Sequence, residues 1–365
     1  MAVSRINEAG LNVNQYGNRN LIINGAMNVA QRATSVASIS SGGYHVCDRW
    51  TYNRDGTEVI TMSQENDAPN GFHHSTKILV TTADTSLPAA TQIRFETRLE
   101  AQNVRQLAYG TSDAKKITLS FYVKSNKTGS YSAGLYKDGL SGETISQGYT
   151  ISASGSWEYK TLTFNADTSS GINATDNDKG LRLWFTLGAN SDRTTGTANT
   201  WSTASTHRAV GQSVNLFDTT NNYWQITGVQ LEVGDTATDF EHRTFGDELI
   251  KCQRYFYKTQ TGSGPAEYHI AVLDGASSDY INAFVKFPTS MRATPSGSQT
   301  YNGALYYNTG SGGTSFTPTG GTDGTTGFTE DYGRINQSNI TNNPGTTHVQ
   351  KVGQWLCAGE FDAEL

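Results

Sequence analysis

The sequence predicts an all-β protein: a jelly-roll β-sandwich, then a second, smaller β-sandwich domain, preceded by a short N-terminal arm. Three observations point there. Charged residues make up only 16% and apolar residues 35%, the balance being Gly, Ser, Thr and Asn. Aromatic residues reach 10% while the net charge is only -6, which is not the high-charge, low-aromatic composition of a disordered chain. Short runs of alternating apolar and polar residues recur between turn signals, as in sandwiches and jelly rolls. Thr and the aromatics favour strands, and Gly, Asn, Asp and Ser supply the turns.

Taken in order, residues 1–20 are polar and patternless and read as an attachment arm. Asn20 to Gly25 is a short apolar run closed by Asn-Gly, a strand followed by a turn. Asp48 to Tyr52 reads as a strand with Trp50 and Tyr52 on one face. Lys116 to Lys124 alternates most clearly, with Ile117, Leu119, Phe121 and Val123 sharing a face. Further strands are expected at Ser130 to Tyr136, Trp157 to Phe164, Leu181 to Leu187 and Trp224 to Glu232. These close a sandwich over residues 21–243.

The period changes at Phe245. Phe245, Leu249, Cys252 and Phe256 fall on a helical stripe, with Thr244 and Asp247 placed to cap its start. A short helix, turning into a strand near Tyr255, forms a linker over 244–258. The C-terminal β-domain, 259–365, has expected strands at Tyr268 to Leu273, Tyr280 to Phe287 and Val352 to Ala358. Residues 308–328 are almost all Gly, Thr, Ser, Asn and Pro and read as one long loop.

Composition excludes several functions. An acidic chain with no basic run lacks the cations that displace counterions from nucleic acid. No apolar stretch spans a bilayer, and the N-terminus lacks a signal-peptide core. Folding in a cytoplasm is therefore expected. Cys47, Cys252 and Cys357 form neither a CxxC pair nor an even framework, so reduced, buried thiols are expected. His45, His73, His74, His207, His242, His269 and His348 make no metal spacing, and no cofactor is expected. His73-His74 beside Asn70-Gly71 reads as a solvated turn, and Asp176-Asn177-Asp178 as a solvated loop rather than a Ca²⁺ site.

GxSxG, Walker and Rossmann patterns are absent, so the chain reads as a non-enzyme. A pair of glycosidase carboxylates stays open, since their separation cannot be read from sequence; Glu96, Glu100, Asp176, Asp178, Glu330 and Asp331 are available. Stacking of sugar faces on aromatic rings is the more plausible chemistry. Trp201, Tyr301 and Tyr332 lie in polar surroundings and are the glycan-binding candidates; the bland alternative is that each ring packs on its own sheet.

Two segments carry a family resemblance. One is Asn20-Leu21-Ile22-Ile23-Asn24-Gly25 through Gln31-Arg32, followed by Tyr44 and Asp48-Arg49-Trp50. The other is Gln230-Leu231-Glu232-Val233-Gly234 through Phe240-Glu241-His242-Arg243, leading into Cys252-Gln253-Arg254-Tyr255-Phe256. Together they resemble the opening and closing signatures of phage tail-fibre and related virion proteins. The resemblance implies a jelly roll like that of carbohydrate-binding modules, a second β-domain, and a homotrimer. It implies a virion protein that attaches to other virion proteins and engages host surface glycan as a tail fibre. A head fibre or decoration protein without a receptor, and a glycan-degrading fibre enzyme, are the alternatives. Arg32, Asp48, Arg49, Trp50, Glu232, Glu241 and Arg243 are read as holding the sandwich closed where its first and last segments meet, Glu232 or Glu241 pairing with Arg32, Arg49 or Arg243.

Overall fold

The computed structural model describes residues 18–138, 142–172, 176–258, 268–274, 280–308, 313–316, 322–325, 329–338 and 351–365. The chain divides into two compact units, Met1–Glu248 with Leu365, and Leu249–Glu364. Residues 1–17, most of the expected arm, lie outside the described residues. No helix among the described residues is long and apolar enough to cross a membrane.

The first unit is a jelly-roll sandwich. Its strands are β1 (Ser35–Ile39), β2 (Gly43–Tyr44), β3 (Trp50–Asn53), β4 (Val59–Glu65), β5 (Ser75–Thr82), β6 (Gln92–Glu100), β7 (Ile117–Ser125), β8 (Gly129–Lys137), β9 (Thr144–Ile151), β10 (Glu158–Phe164), β11 (Lys179–Ala189) and β12 (Tyr223–Val233). One six-stranded sheet runs β1-β4-β5-β12-β7-β10 and the other β2-β3-β6-β11-β8-β9. Every pairing is antiparallel. Alternation decides which side chains fill the space between the sheets. Ile117, Leu119, Phe121 and Val123 of β7 meet Phe95 of β6 and Leu183 and Phe185 of β11 in one buried core.

Asn20 to Gly25 is not a strand. Two backbone bonds tie it to β12, from Leu21 N to the Leu231 carbonyl (2.9 Å) and from Val229 N to the Gly25 carbonyl (2.9 Å), and two asparagine side chains add to them. Asn20 Nδ2 donates to the Val229 carbonyl (3.0 Å), and its Oδ1 accepts from Leu231 N (3.1 Å) and Ile22 N (3.0 Å). Asn24 Nδ2 donates to the carbonyls of Val29 (2.8 Å) and Asp48 (2.9 Å). Such side chains compete effectively with regular backbone pairing.

A helix, Phe245–Gln253, follows the sandwich, and the unit boundary falls within it. Thr244 Oγ1 accepts from Asp247 N (3.2 Å) and donates to its carboxylate (2.7 Å). The stripe is buried at Cys252 and Phe256 but not at Phe245, which is exposed.

The second unit joins β13 (Phe256–Lys258), β14 (Tyr268–Asp274), β15 (Tyr280–Lys286), β16 (Ser296–Asn308), β17 (Gly313–Phe316), β18 (Thr322–Thr325), β19 (Tyr332–Ser338) and β20 (Lys351–Asp362) in one sheet. Its order is β17-β16-β20-β14-β15-β19-β18, with β13 added on β20. Tyr257, Phe287 and Phe361 form an aromatic core, Phe287 and Phe361 lying 4.9 Å apart edge to face. The 308–328 stretch is not a single loop. It contains β17, which pairs with the end of β16, and β18, which pairs with β19. Thr-rich segments suit extended pairing even where Gly is frequent.

Candidate functional site

The motif residues gather where the two ends of the sandwich meet. Asp48 is buried, accepts from Gln31 N (3.0 Å) and the Gln31 side chain, and lies 4.0 Å from Arg32 Nη1. Arg49, in a left-handed conformation (φ 71°), is buried and donates to the Arg98 carbonyl. Trp50 is fully buried and donates from its indole to the Asn24 carbonyl (3.1 Å). Glu241 accepts from the backbone N–H groups of Arg19 (3.2 Å) and Asn20 (2.9 Å) and pairs with Arg243 (3.1 Å). Burial opposes its charge, but those N–H groups and Arg243 hold its pKa below the usual carboxylate range. Arg243 also donates to the Ile22 and Asn20 carbonyls. Glu232 takes no arginine in these pairs; it accepts from Thr238 N (2.9 Å) and Thr238 Oγ1 (2.7 Å). Protein partners on both segments engage these groups.

The aromatic candidates fall on different elements of two separate units. Trp201 is half-buried against the core of the first unit. Its indole donates to the Asn165 carbonyl (2.8 Å), its ring meets Tyr109 edge to face at 5.6 Å, and the Lys137 ammonium lies 4.8 Å from its centroid. Tyr301 and Tyr332 belong to the second unit, on β16 and β19. The strands β20, β14 and β15 separate these two along the sheet. Tyr332 is exposed; the Tyr301 side chain, like that of Cys357, lies outside the described residues.

The sheets themselves assemble a surface that no single run of sequence displays. On β7 and β10 the core takes Phe121, Leu162 and Phe164, so Tyr122 and Tyr159 point outward as a cross-strand pair, with ring centroids 5.0 Å apart. Phe72 leans on Tyr122 at 5.5 Å, and Phe240 (4.9 Å) and His242 (5.3 Å) lean on Phe72. The row is possible because of the bulge in β12 between Thr227 and Gln230. There Gly228 has φ 61°, and a Cβ on it would lie 2.7 Å from Phe72 Cζ. Tyr159 is 48% exposed and His242 is exposed, so ring surface is open at both ends. Polar partners stand beside the row: Asp67 accepts from Lys124 Nζ (2.5 Å) and from the Trp157 indole (3.2 Å). The paired histidines stack at 4.3 Å, His73 exposed and His74 half-buried.

The outward face of the other sheet is built differently. A strap, residues 202–214, lies across β8 and β9. Ser146 Oγ donates to the His207 carbonyl (2.6 Å) and accepts from Val210 N (2.8 Å). Ser132 N donates to Gln212 Oε1 (2.7 Å). Gly148 leaves the strap room, since a Cβ there would lie 3.2 Å from Gly211 Cα. Beside the strap, Glu96 is fully buried between Arg94 (2.8 Å) and Arg98 (2.7 Å). Burial opposes its charge, but the two arginines hold its pKa down. Among the described residues, no group of three or more His, Cys, Asp or Glu is placed to hold a metal ion. Asp176 pairs with Arg105.

No family model matches this chain, and no curated protein matches it. Solved structures resemble its fold. One is the enzymatically active domain of tailspike protein 4 of bacteriophage CBA120, 14% identical over 59% of this chain, with a TM-score of 0.34; the match spans 21% of the tailspike chain. Another is described as a sugar-binding protein of Bacteroides thetaiotaomicron, 13% identical, covering 59% of this chain and 99% of that one, TM-score 0.32. A third is a family 11 carbohydrate-binding module of a cellulosomal cellulase of Clostridium thermocellum, 11% identical, covering 57% and 99%, TM-score 0.29.

Proposed function

We propose that this chain is a structural virion protein, a phage tail fibre, whose jelly roll binds host-surface glycan without cleaving it. The observation that supports the reading is the outward aromatic row Tyr159–Tyr122–Phe72 on the first sheet, open at Tyr159 and His242 and flanked by Asp67 and Lys124. Sugar rings offer apolar C–H faces, which match aromatic faces, and hydroxyls, which match the flanking polar groups; concave or planar sites with a few convergent polar groups are the usual form of such recognition. Each stacked sugar contributes little, so a homotrimer raises weak site affinities by roughly 10²–10⁴ through avidity. The fibre reading adds a virion attachment through the N-terminal arm and follows from the opening and closing motifs.

The test is binding of the purified full-length chain to polysaccharide from susceptible cells, with sedimentation to fix its assembly state. The reading expects saturable binding by a trimer, no release of reducing ends, and loss of binding in Tyr159→Ala. A folded trimer that ignores susceptible cells supports a decoration role instead.

A further inference from the structure

The strap does more than cover strands: it fixes one arginine in a place where its charge is uncompensated. The Arg208 carbonyl accepts from the Trp184 indole (3.1 Å) and from Gln92 Nε2 (3.0 Å), which ties this point of the strap to β11 and β6. Its guanidinium lies 5.6 Å from the centroid of Tyr136, a ring that Arg182 also approaches, at 5.1 Å. Tyr136 and Trp184 lie 6.1 Å apart, and Arg94 lies 5.8 Å from the Trp184 ring. Strand register places these groups together independently of any rotamer: Arg182 is opposite both Tyr136 and Arg98, and Trp184 is opposite Glu96.

The carboxylates of this face are already engaged. Glu96 serves Arg94 and Arg98, and Asp138 serves Arg182. Arg208 is half-buried and has no carboxylate partner among the described residues. Burial and the fields of Arg193, Arg94 and Arg182 all push its pKa down. A partly desolvated cation among other cations is costly unless an anion answers it. The guanidinium fork matches the two oxygens of a carboxylate or a phosphate. Because guanidiniums already lie over the rings, this face is unsuited to stacking a neutral sugar.

We propose that the outward face of the second sheet is a second binding site, for a sugar-borne oxyanion (a uronate carboxylate or a phosphate ester), held by Arg208 with Arg94 and Arg182 around Tyr136 and Trp184. It is separate from the aromatic row on the first sheet. That the oxyanion is carried on a sugar rests on the glycan-binding reading above; the preference for negative charge rests on this face alone.

The test is an NMR titration of the full-length chain with glucuronate, inorganic phosphate and glucose at low salt, following the Trp184 indole and the Arg208 Nε–H. Saturable shifts with glucuronate assign a carboxylate, with phosphate a phosphate ester, and glucose gives none. Arg208→Gln weakens the binding at least about tenfold, the scale of losing a charge-assisted pair. Arg208→Lys keeps the charge and loses the fork, so it weakens binding less and separates loss of the site from loss of fold. Tyr159→Ala separates the two faces: it removes glycan binding at the aromatic row and leaves the phosphate titration unchanged. Absence of saturable shifts with both anions, or unchanged affinity in folded Arg208→Gln, overturns the site. A response to hexaglutamate with none to the small anions assigns the face to an acidic protein partner and equally overturns it.

Discussion

Trp50 lies flat on Phe95, with ring centroids 4.9 Å apart and planes 9° apart, while its indole N–H reaches the Asn24 carbonyl. One side chain thus joins the opening segment to β3 and, through Phe95, to β6 in the middle of the second sheet. Trp50→Ala leaves a large cavity and removes the indole donor, for an expected loss of about 3–5 kcal/mol. Trp50→Phe keeps the stack and loses the indole donor, so it costs less. Urea unfolding followed by circular dichroism measures both, and a Trp50→Phe chain as stable as the native one would deny the hydrogen bond a role.

A second prediction concerns pH. Lys137 is buried with Asp167 and lies 2.6 Å from Glu143, with its ammonium near the Trp201 ring. Burial alone would raise the Asp167 pKa, but hydrogen bonds from Lys137 and Ser169 and the Lys137 charge bring it down to about 2. A depressed carboxylate pKa stabilises the fold above the ordinary value of 3.8. That contribution fades as pH falls toward 2. Lys137→Met leaves buried carboxylates without their cation, at an expected cost of about 3–5 kcal/mol near neutrality. The difference from the native chain should shrink in melts between pH 4 and pH 2; a constant difference would contradict the assignment.

The third prediction concerns the thiols. Cys47 and Cys252 are buried and not joined in a disulfide. Burial pushes the Cys47 thiol up to about 12, against a hydrogen bond from Thr76 and with the aid of the Asp48 charge. Since the thiolate is the reactive form, neither cysteine of the native chain should label appreciably with a maleimide at pH 7 within an hour. Both should label in denaturant. Rapid labelling of Cys47 in the native chain would show that the sandwich opens at β3.

Much of the sandwich is legible in sequence because its strands alternate, as Ile117, Leu119, Phe121 and Val123 do. The helix over Phe245–Gln253 is legible from its stripe and its Thr244 cap. The two candidate faces are not. Tyr122, Tyr159 and Phe72 become neighbours only through the β7–β10 register and a bulge at Gly228, and neither leaves a local signal. The strap is hidden for another reason: Arg208 is held by its backbone carbonyl, which every residue possesses. Single aromatics in polar stretches, such as Trp201, stand out in sequence, yet Trp201 spends its indole on Asn165 and half its surface on the core.

Gly228→Ala tests how the aromatic row is seated. Its φ of 61° is unfavourable for alanine, and the added Cβ would lie 2.7 Å from Phe72 Cζ and 3.1 Å from Tyr122 Cδ2. Strain of about 1–2 kcal/mol is expected from the backbone alone, with more from displacement of Phe72. The substitution should lower stability and, in the folded fraction, weaken glycan binding. Unchanged binding would mean that Phe72 is not part of the surface that meets sugar.

The last prediction separates glycan recognition from packing between copies, the two uses open to an exposed aromatic row. Tyr159 is 48% exposed and Tyr122 touches both Tyr159 and Phe72. Tyr159→Ala removes the outermost ring without opening the core, so its stability should change by less than about 0.5 kcal/mol, as for most surface substitutions. If the ring stacks on sugar, binding to host polysaccharide falls by roughly tenfold per site, and by more in a trimer, because every copy loses the same contact. Assembly should be unaffected in that case. If instead the ring packs on another copy, sedimentation should show the trimer dissociating at higher protein concentration, and polysaccharide binding should fall only in step with the trimer population. Measuring both quantities on the same sample over a concentration series decides between them: binding lost with the trimer intact supports the glycan reading, and binding that follows trimer content excludes it.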